Sequence, residues 1–149
     1  MTAAPKRIEQ GIDLDVVEQA IRAAEQRTSG EIRVAIAHAW HWGDVRRAAE
    51  RAFVRLRVFE TRDRNGVLIF LAPSRRRLAV IGDTGVHAKM PPNFWSKVVD
   101  TMTADFRRGS LTAGVVAAVE LLGTTLAAAF PPRAGDVNEL TDSVSTDQP

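Results

Sequence analysis

A chain of 149 residues, 45% hydrophobic and 26% charged, is long enough for one domain with a real core. It contains no cysteine, which excludes a disulfide framework, a thiolate zinc site and a cysteine nucleophile, and fits a reducing cytoplasm. The net charge of +2 is unevenly placed: Asp136, Glu139, Asp142 and Asp147 lie in residues 135–149 without a Lys or Arg, and setting that −4 aside leaves about +6 on residues 1–134. The cations are almost all Arg, and Tyr is absent. Without interleaved aromatics they carry no nucleic-acid signature.

Met1 to Gln10 has no apolar run of the kind a signal peptide needs. Asp13 to Arg27 is predicted helical, with Val16, Val17, Ala20, Ile21 and Ala24 on one face, Asp13 as N-cap and Gly30 beyond the end. Glu31 to Ala39 alternates, Ile32, Val34 and Ile36 against Glu31, Arg33 and Ala35, the pattern of a half-buried strand. Asp44 can cap a second helix whose stripe is Val45, Ala48, Ala49, Ala52, Phe53 and Leu56. Thr61 to Gly66 is a polar loop, and Val67 to Ala72 is an unbroken apolar run suited to a central strand. Pro73 to Arg77 turns the chain, and Leu78 to Gly82 returns as the third strand of an antiparallel hairpin.

After a loop to Pro91-Pro92, Asn93 can cap a third helix with Phe94, Trp95, Val98, Val99, Met102 and Phe106 on its apolar side, ending at Gly109. The last helix runs from about Thr112 to Phe130 and stops at Pro131-Pro132. It has the length of a membrane span, but Glu120 near its middle and its Ala-rich composition point to a buried helix and no stable membrane insertion. The expected organisation is a single domain over 1–134 and a disordered acidic tail over 135–149.

The order αβαββαα implies a parallel strand pair through a right-handed crossover, an antiparallel third strand, and helices on both faces of a small mixed sheet. In that topology the N-terminal ends of the first two strands and the C-terminal end of the third share one edge. Glu31, Asn65 and Asp83 therefore converge, while His38, His41 and Arg75 to Arg77 fall at the opposite end.

Asp83 and His87, separated by a turn containing Gly85, could ligate a metal or move a proton. Glu31 could join Asp83 as a metal ligand. Asn65 and the amides of Gly82 and Gly85 could hold a phosphate. The competing structural reading is a strand exit, with Asp83 capping the next turn and Thr28 and Ser29 serving a helix-to-strand turn. Asp13-Leu14-Asp15-Val16-Val17 matches a DxDx[T/V] phosphatase nucleophile pattern, but that chemistry needs aspartates at the end of a buried strand, and Ile8 to Ile12 does not read as one. Two Asp at a helix start complement the helix dipole instead. His38 and His41 beside Trp40 and Trp42 read as strand-end residues, since only Asp44, wanted as a cap, could complete a metal site. Arg75 to Arg77 reads as a solvated hairpin tip.

Arg27 to Val34, Arg64 to Ile69, Ala79 to His87, Asn93-Phe94-Trp95, and the ending from Leu122-Gly123 to Phe130-Pro131, taken in order, resemble the TPM domain family in its short bacterial form. The resemblance runs from about Ile12 to Phe130. It implies a three-layer αβα sandwich, acid-phosphatase activity or calcium binding as in some members, or a role in assembly or repair of membrane complexes as in others. This chain departs from membrane-tethered members in lacking a leader. It also has Ala88, Lys89 and Met90 where a later acidic residue is typical. Calcium takes six to eight oxygens, so the loop is short of ligands. The expected function is therefore a non-catalytic or weakly catalytic module with a possible calcium or magnesium site and an unidentified protein partner. The alternative is a metal-assisted hydrolase of small phosphomonoesters, with Glu31 and Asp83 holding the ion and His87 as general acid.

Overall fold

The computed structural model describes residues 7–38, 43–133 and 144–146. The chain opens with a two-residue hairpin, β1 (Ile8–Glu9) and β2 (Ile12–Asp13), and continues into α1 (Leu14–Glu25). Then come β3 (Glu31–Ile36), α2 (Val45–Arg55), β4 (Gly66–Ala72), a single 3-10 turn (Pro73–Arg75) and β5 (Arg77–Gly82). A one-turn helix α3 (Thr84–His87), then α4 (Phe94–Arg107), α5 (Leu111–Ala129) and β6 (Ser145–Thr146) complete the described elements.

The sheet order is β5-β4-β3-β6. β3 and β4 are parallel with Glu31 opposite Gly66, and β4 and β5 are antiparallel with Val67 opposite Gly82. The parallel pair needs a crossover, and α2 supplies it. Strand alternation sends Ile32, Val34, Ile36, Val67, Ile69, Leu71 and Val80 into one core with α1, α4 and α5. It sends Ala35, Leu68, Phe70, Ala79 and Ile81 into a second core with α2. These are the three layers expected.

Several details differ from the sequence reading. β3 is buried on both faces: Arg33 and Ala35 are buried along with Ile32 and Val34, because the sheet is covered on both sides, and Arg33 donates to Ser145 Oγ at 2.6 Å. Ile8 to Ile12 does contain extended residues, but as a tiny hairpin and not as a central strand. Asp13 caps α1, accepting from the Asp15 and Val16 amides, so the rejection of a phosphatase nucleophile there is unaffected. Val16 lies on the exposed side of α1, whose inner face is Leu14, Val17, Ile21 and Ala24. Asn93 precedes α4 without a side-chain cap bond.

Within residues 135–149, Val144–Thr146 lie against the sheet. The open edge of β3 pairs with Ser145 and Thr146, and the Val144 amide donates to Glu18 Oε1 at 3.0 Å. An unpaired strand edge is a ready template for such an addition. The other tail residues, with Trp40, His41 and Trp42, lie outside the described residues.

Among the described helices α5 alone is long and apolar enough to cross a membrane. In this fold it is a core helix. Val115, Ala118, Val119, Leu122 and Leu126 are fully buried, and Glu120 is exposed. Each buried Leu contributes about 1.5–3 kcal/mol on area grounds.

Candidate functional site

Glu31, the Asn65–Gly66 pair and Asp83 meet at one end of the sheet through backbone bonds. The Glu31 amide donates to Asn65 O (3.3 Å), and the Asp83 amide to Gly66 O (2.9 Å). The Arg75 to Arg77 tip lies at the far end, where Arg75 donates to Gly43 O. His38 follows β3 toward that far end.

Each candidate residue has a defined place. Asp83 is buried and fully engaged. Arg64 Nε and Nη2 donate to its two carboxylate oxygens at 2.7 and 2.9 Å, and the Thr84 amide donates to Oδ1 at 2.7 Å. Asp83 is thus both a bidentate partner of Arg64 and the N-cap of α3. Its hydrogen bond, and secondly its charge, raise the Arg64 pKa above the ordinary guanidinium value.

Gly85 lets α3 touch the preceding loop. Its amide donates to Arg64 O at 2.9 Å, and a Cβ there would stand 2.1 Å from Asp63 O. That amide is used within the fold and not offered to a phosphate. Gly82 leaves room for Trp95, whose ring a Cβ would meet at 2.2 Å. The same indole lies against His87, with ring centroids 5.1 Å apart. The His87 imidazole is exposed and makes no hydrogen bond among the described residues.

Asn65 is 1% exposed. Its amide donates to Thr61 Oγ1 (3.0 Å), its Nδ2 reaches Ser29 Oγ (3.5 Å), and its Oδ1 accepts no hydrogen bond among the described residues. Thr28 and Ser29 tie the α1–β3 turn to the end of α5. Thr28 Oγ1 and the Ser29 amide both donate to Phe130 O, and Thr28 Oγ1 accepts from the Gly30 amide. The pair thus serves the helix-to-strand turn. Asp63 pairs with Arg133 at 3.1 Å.

Glu31 is buried at the start of β3. It and Asp83 are separated by the whole width of β4, so their backbones are about 10 Å apart at ordinary strand spacing. The position between them, over Gly66, is filled by the backbone of Val58: a Cβ on Gly66 would lie 2.4 Å from Val58 O. Among the described residues no three His, Asp or Glu side chains are grouped to hold a metal ion. A divalent cation shared by Glu31 and Asp83 does not fit this arrangement. Sequence reasoning missed Arg64. The available signal is an Arg one residue before Asn65, at the edge that Asp83 shares.

The sequence model of the TPM domain matches residues 11–125. The chain is similar to the BA42 protein from the psychrophilic bacterium Bizionia argentinensis, at 31% identity and a TM-score of 0.85, over 94% of this chain and 98% of that one. It is also similar to the N-terminal domain of the cg2496 protein from Corynebacterium glutamicum, over 100% of this chain and 93% of that one. There the TM-score is 0.59 and the identity 12%, a likeness of fold alone. No curated protein matches the chain.

Proposed function

The chain belongs to the TPM domain family, and we propose that it works as a binding module in protein interaction or complex assembly and not as a hydrolase. We place that work in the cytoplasm, in keeping with a chain free of cysteine. The observation that carries the reading is the state of Asp83. A carboxylate that is to hold an ion or take a proton must have a free oxygen for it. Both oxygens of Asp83 accept from Arg64, one also accepts from the Thr84 amide, and the side chain is 3% exposed, which leaves an ion or a proton little access. The glycine amide beside it is spent on Arg64 O. Held this way, the convergent rim fixes the shape of the surface around it, where His87, Ala88 and Lys89 stand exposed. That surface is the part offered to a protein partner.

The test compares wild type, Asp83→Asn and His87→Ala with an aryl phosphate, with and without a chelator, alongside thermal melts. The binding-module reading expects turnover at the protein-free background throughout. Wild-type turnover that a chelator abolishes, and that each substitution lowers roughly tenfold or more while the fold survives, sinks it in favour of the metal-assisted phosphatase.

A further inference from the structure

The end of the sheet opposite that rim holds a cleft of about 760 Å³. It lies where β4 gives way to β5, closed on one side by β2 and on the other by α4 and the start of α5. Ile12 and Leu71, both buried, form its floor, and Leu78 and Phe106, half-buried, line its walls. Arg76, Arg77 and Arg107 stand at its mouth, all exposed. None of the three side chains makes a hydrogen bond or ion pair among the described residues, and no described carboxylate lines the cleft. Arg76 is held at the tip in the left-handed backbone region, at φ 53°.

We propose that this cleft binds an amphiphilic anion: an aliphatic chain carrying one carboxylate. The volume lies within the range of about 300–1,000 Å³ typical of small-molecule sites, and such sites combine an apolar lining with a few placed polar groups. The apolar floor and walls take an alkyl body, since burying methylenes is favourable and burying polar groups there, without partners, is not. Three guanidinium groups without a partner among the described residues leave the mouth strongly positive, and guanidinium matches a carboxylate in charge and in planar, bidentate geometry. An apolar cation or a neutral alcohol meets only half of this complementarity. The proposal does not depend on the reading of the rim, from which the cleft is separated by the length of the sheet.

The probe is sodium decanoate, kept monomeric and titrated into the whole chain by calorimetry, with amide NMR to locate it. Binding should be saturable and one-to-one, with shifts centred on Thr103, Gly109 and Leu111. Octanoate should bind roughly tenfold or more weakly, because each lost methylene costs about threefold to fourfold. The variant R76Q/R77Q/R107Q should bind decanoate at least tenfold more weakly at unchanged melting temperature, since these exposed side chains make no hydrogen bond or ion pair among the described residues. Phe106→Ala should weaken binding as well, and decyltrimethylammonium should not compete. No saturable binding, equal binding of the cation, shifts centred on the rim, or an unaffected triple-arginine variant would each overturn the proposal. Binding to anionic vesicles without binding to monomeric decanoate overturns it too, and points to a membrane surface instead.

Discussion

The guanidinium of Arg64 closes on both carboxylate oxygens of Asp83, and the carbonyl of the same Arg64 receives the amide of Gly85. One residue thus clamps the exit of β5 from two sides. The side chain of Asp83 is 3% exposed and that of Arg64 is 53% exposed, so the buried carboxylate depends on a partner that reaches in from the surface.

Asp83→Ala removes a helix cap and leaves Arg64 without its acceptor. With a cap worth about 1 kcal/mol and hydrogen bonds to charged groups about 1.5–3 kcal/mol, the expected loss is about 2–3 kcal/mol. Arg64→Ala should cost a similar amount, because it strands a buried carboxylate. Urea denaturation of both single variants and the double variant measures the coupling. Strictly additive losses would show that the two side chains do not stabilise one another.

Gly85→Ala should destabilise the fold by roughly 2 kcal/mol or more, since the new methyl would overlap the backbone carbonyls of Asp63 and Arg64 at 2.1 and 2.7 Å. Gly43→Ala is the contrast: its φ is +95° but its surroundings are open, so only backbone strain of about 1 kcal/mol applies. Thermal melts that rank the two variants the other way would contradict this packing of α3 on the loop.

Glu18 links stability to pH. Burial pushes its pKa up, but the hydrogen bond from Arg7, the amide of Val144 and the charges of Arg7 and Arg22 outweigh that and hold it below the ordinary glutamate value. A carboxylate with a lowered folded pKa stabilises the native state fully above its unfolded value of about 4.3. That contribution disappears as pH falls through the lower, folded value. Wild type should therefore lose more stability than Glu18→Gln on acidification below about pH 4.3. Parallel stability curves for the two proteins would rule out the linkage.

On α5 the two faces should respond oppositely. Leu122→Ala should cost about 2–5 kcal/mol, as for other wholly buried leucines. Glu120→Ala, at an exposed site, should stay within about 0.5 kcal/mol. The expressed chain is expected in the supernatant without detergent, because the apolar face of α5 is spent on α1 and α4. Recovery only from the membrane fraction contradicts the core-helix assignment.

Local pattern was enough to establish the layers. The spacing of Ala48, Ala49, Ala52 and Phe53 gave α2 its buried stripe, and the run from Val67 to Ala72 suited a strand enclosed on both sides. The short Pro73 to Arg77 connection made the next strand antiparallel. From strand directions alone, Glu31, Asn65 and Asp83 had to share an edge, and the backbone bonds joining them follow from that. What the sequence alone could not decide is how the polar groups at that edge are used. Whether Asp83 faces an ion, a proton or Arg64 depends on distances of a few tenths of an ångström between residues 19 apart in the chain. Likewise, the Val58 backbone over Gly66 and the Ser145 strand on β3 join segments that carry no shared periodicity. Hydrophobic burial follows the repeat of the chain and is legible in it, whereas hydrogen bonding and charge pairing are satisfied by whichever partners tertiary packing brings within reach.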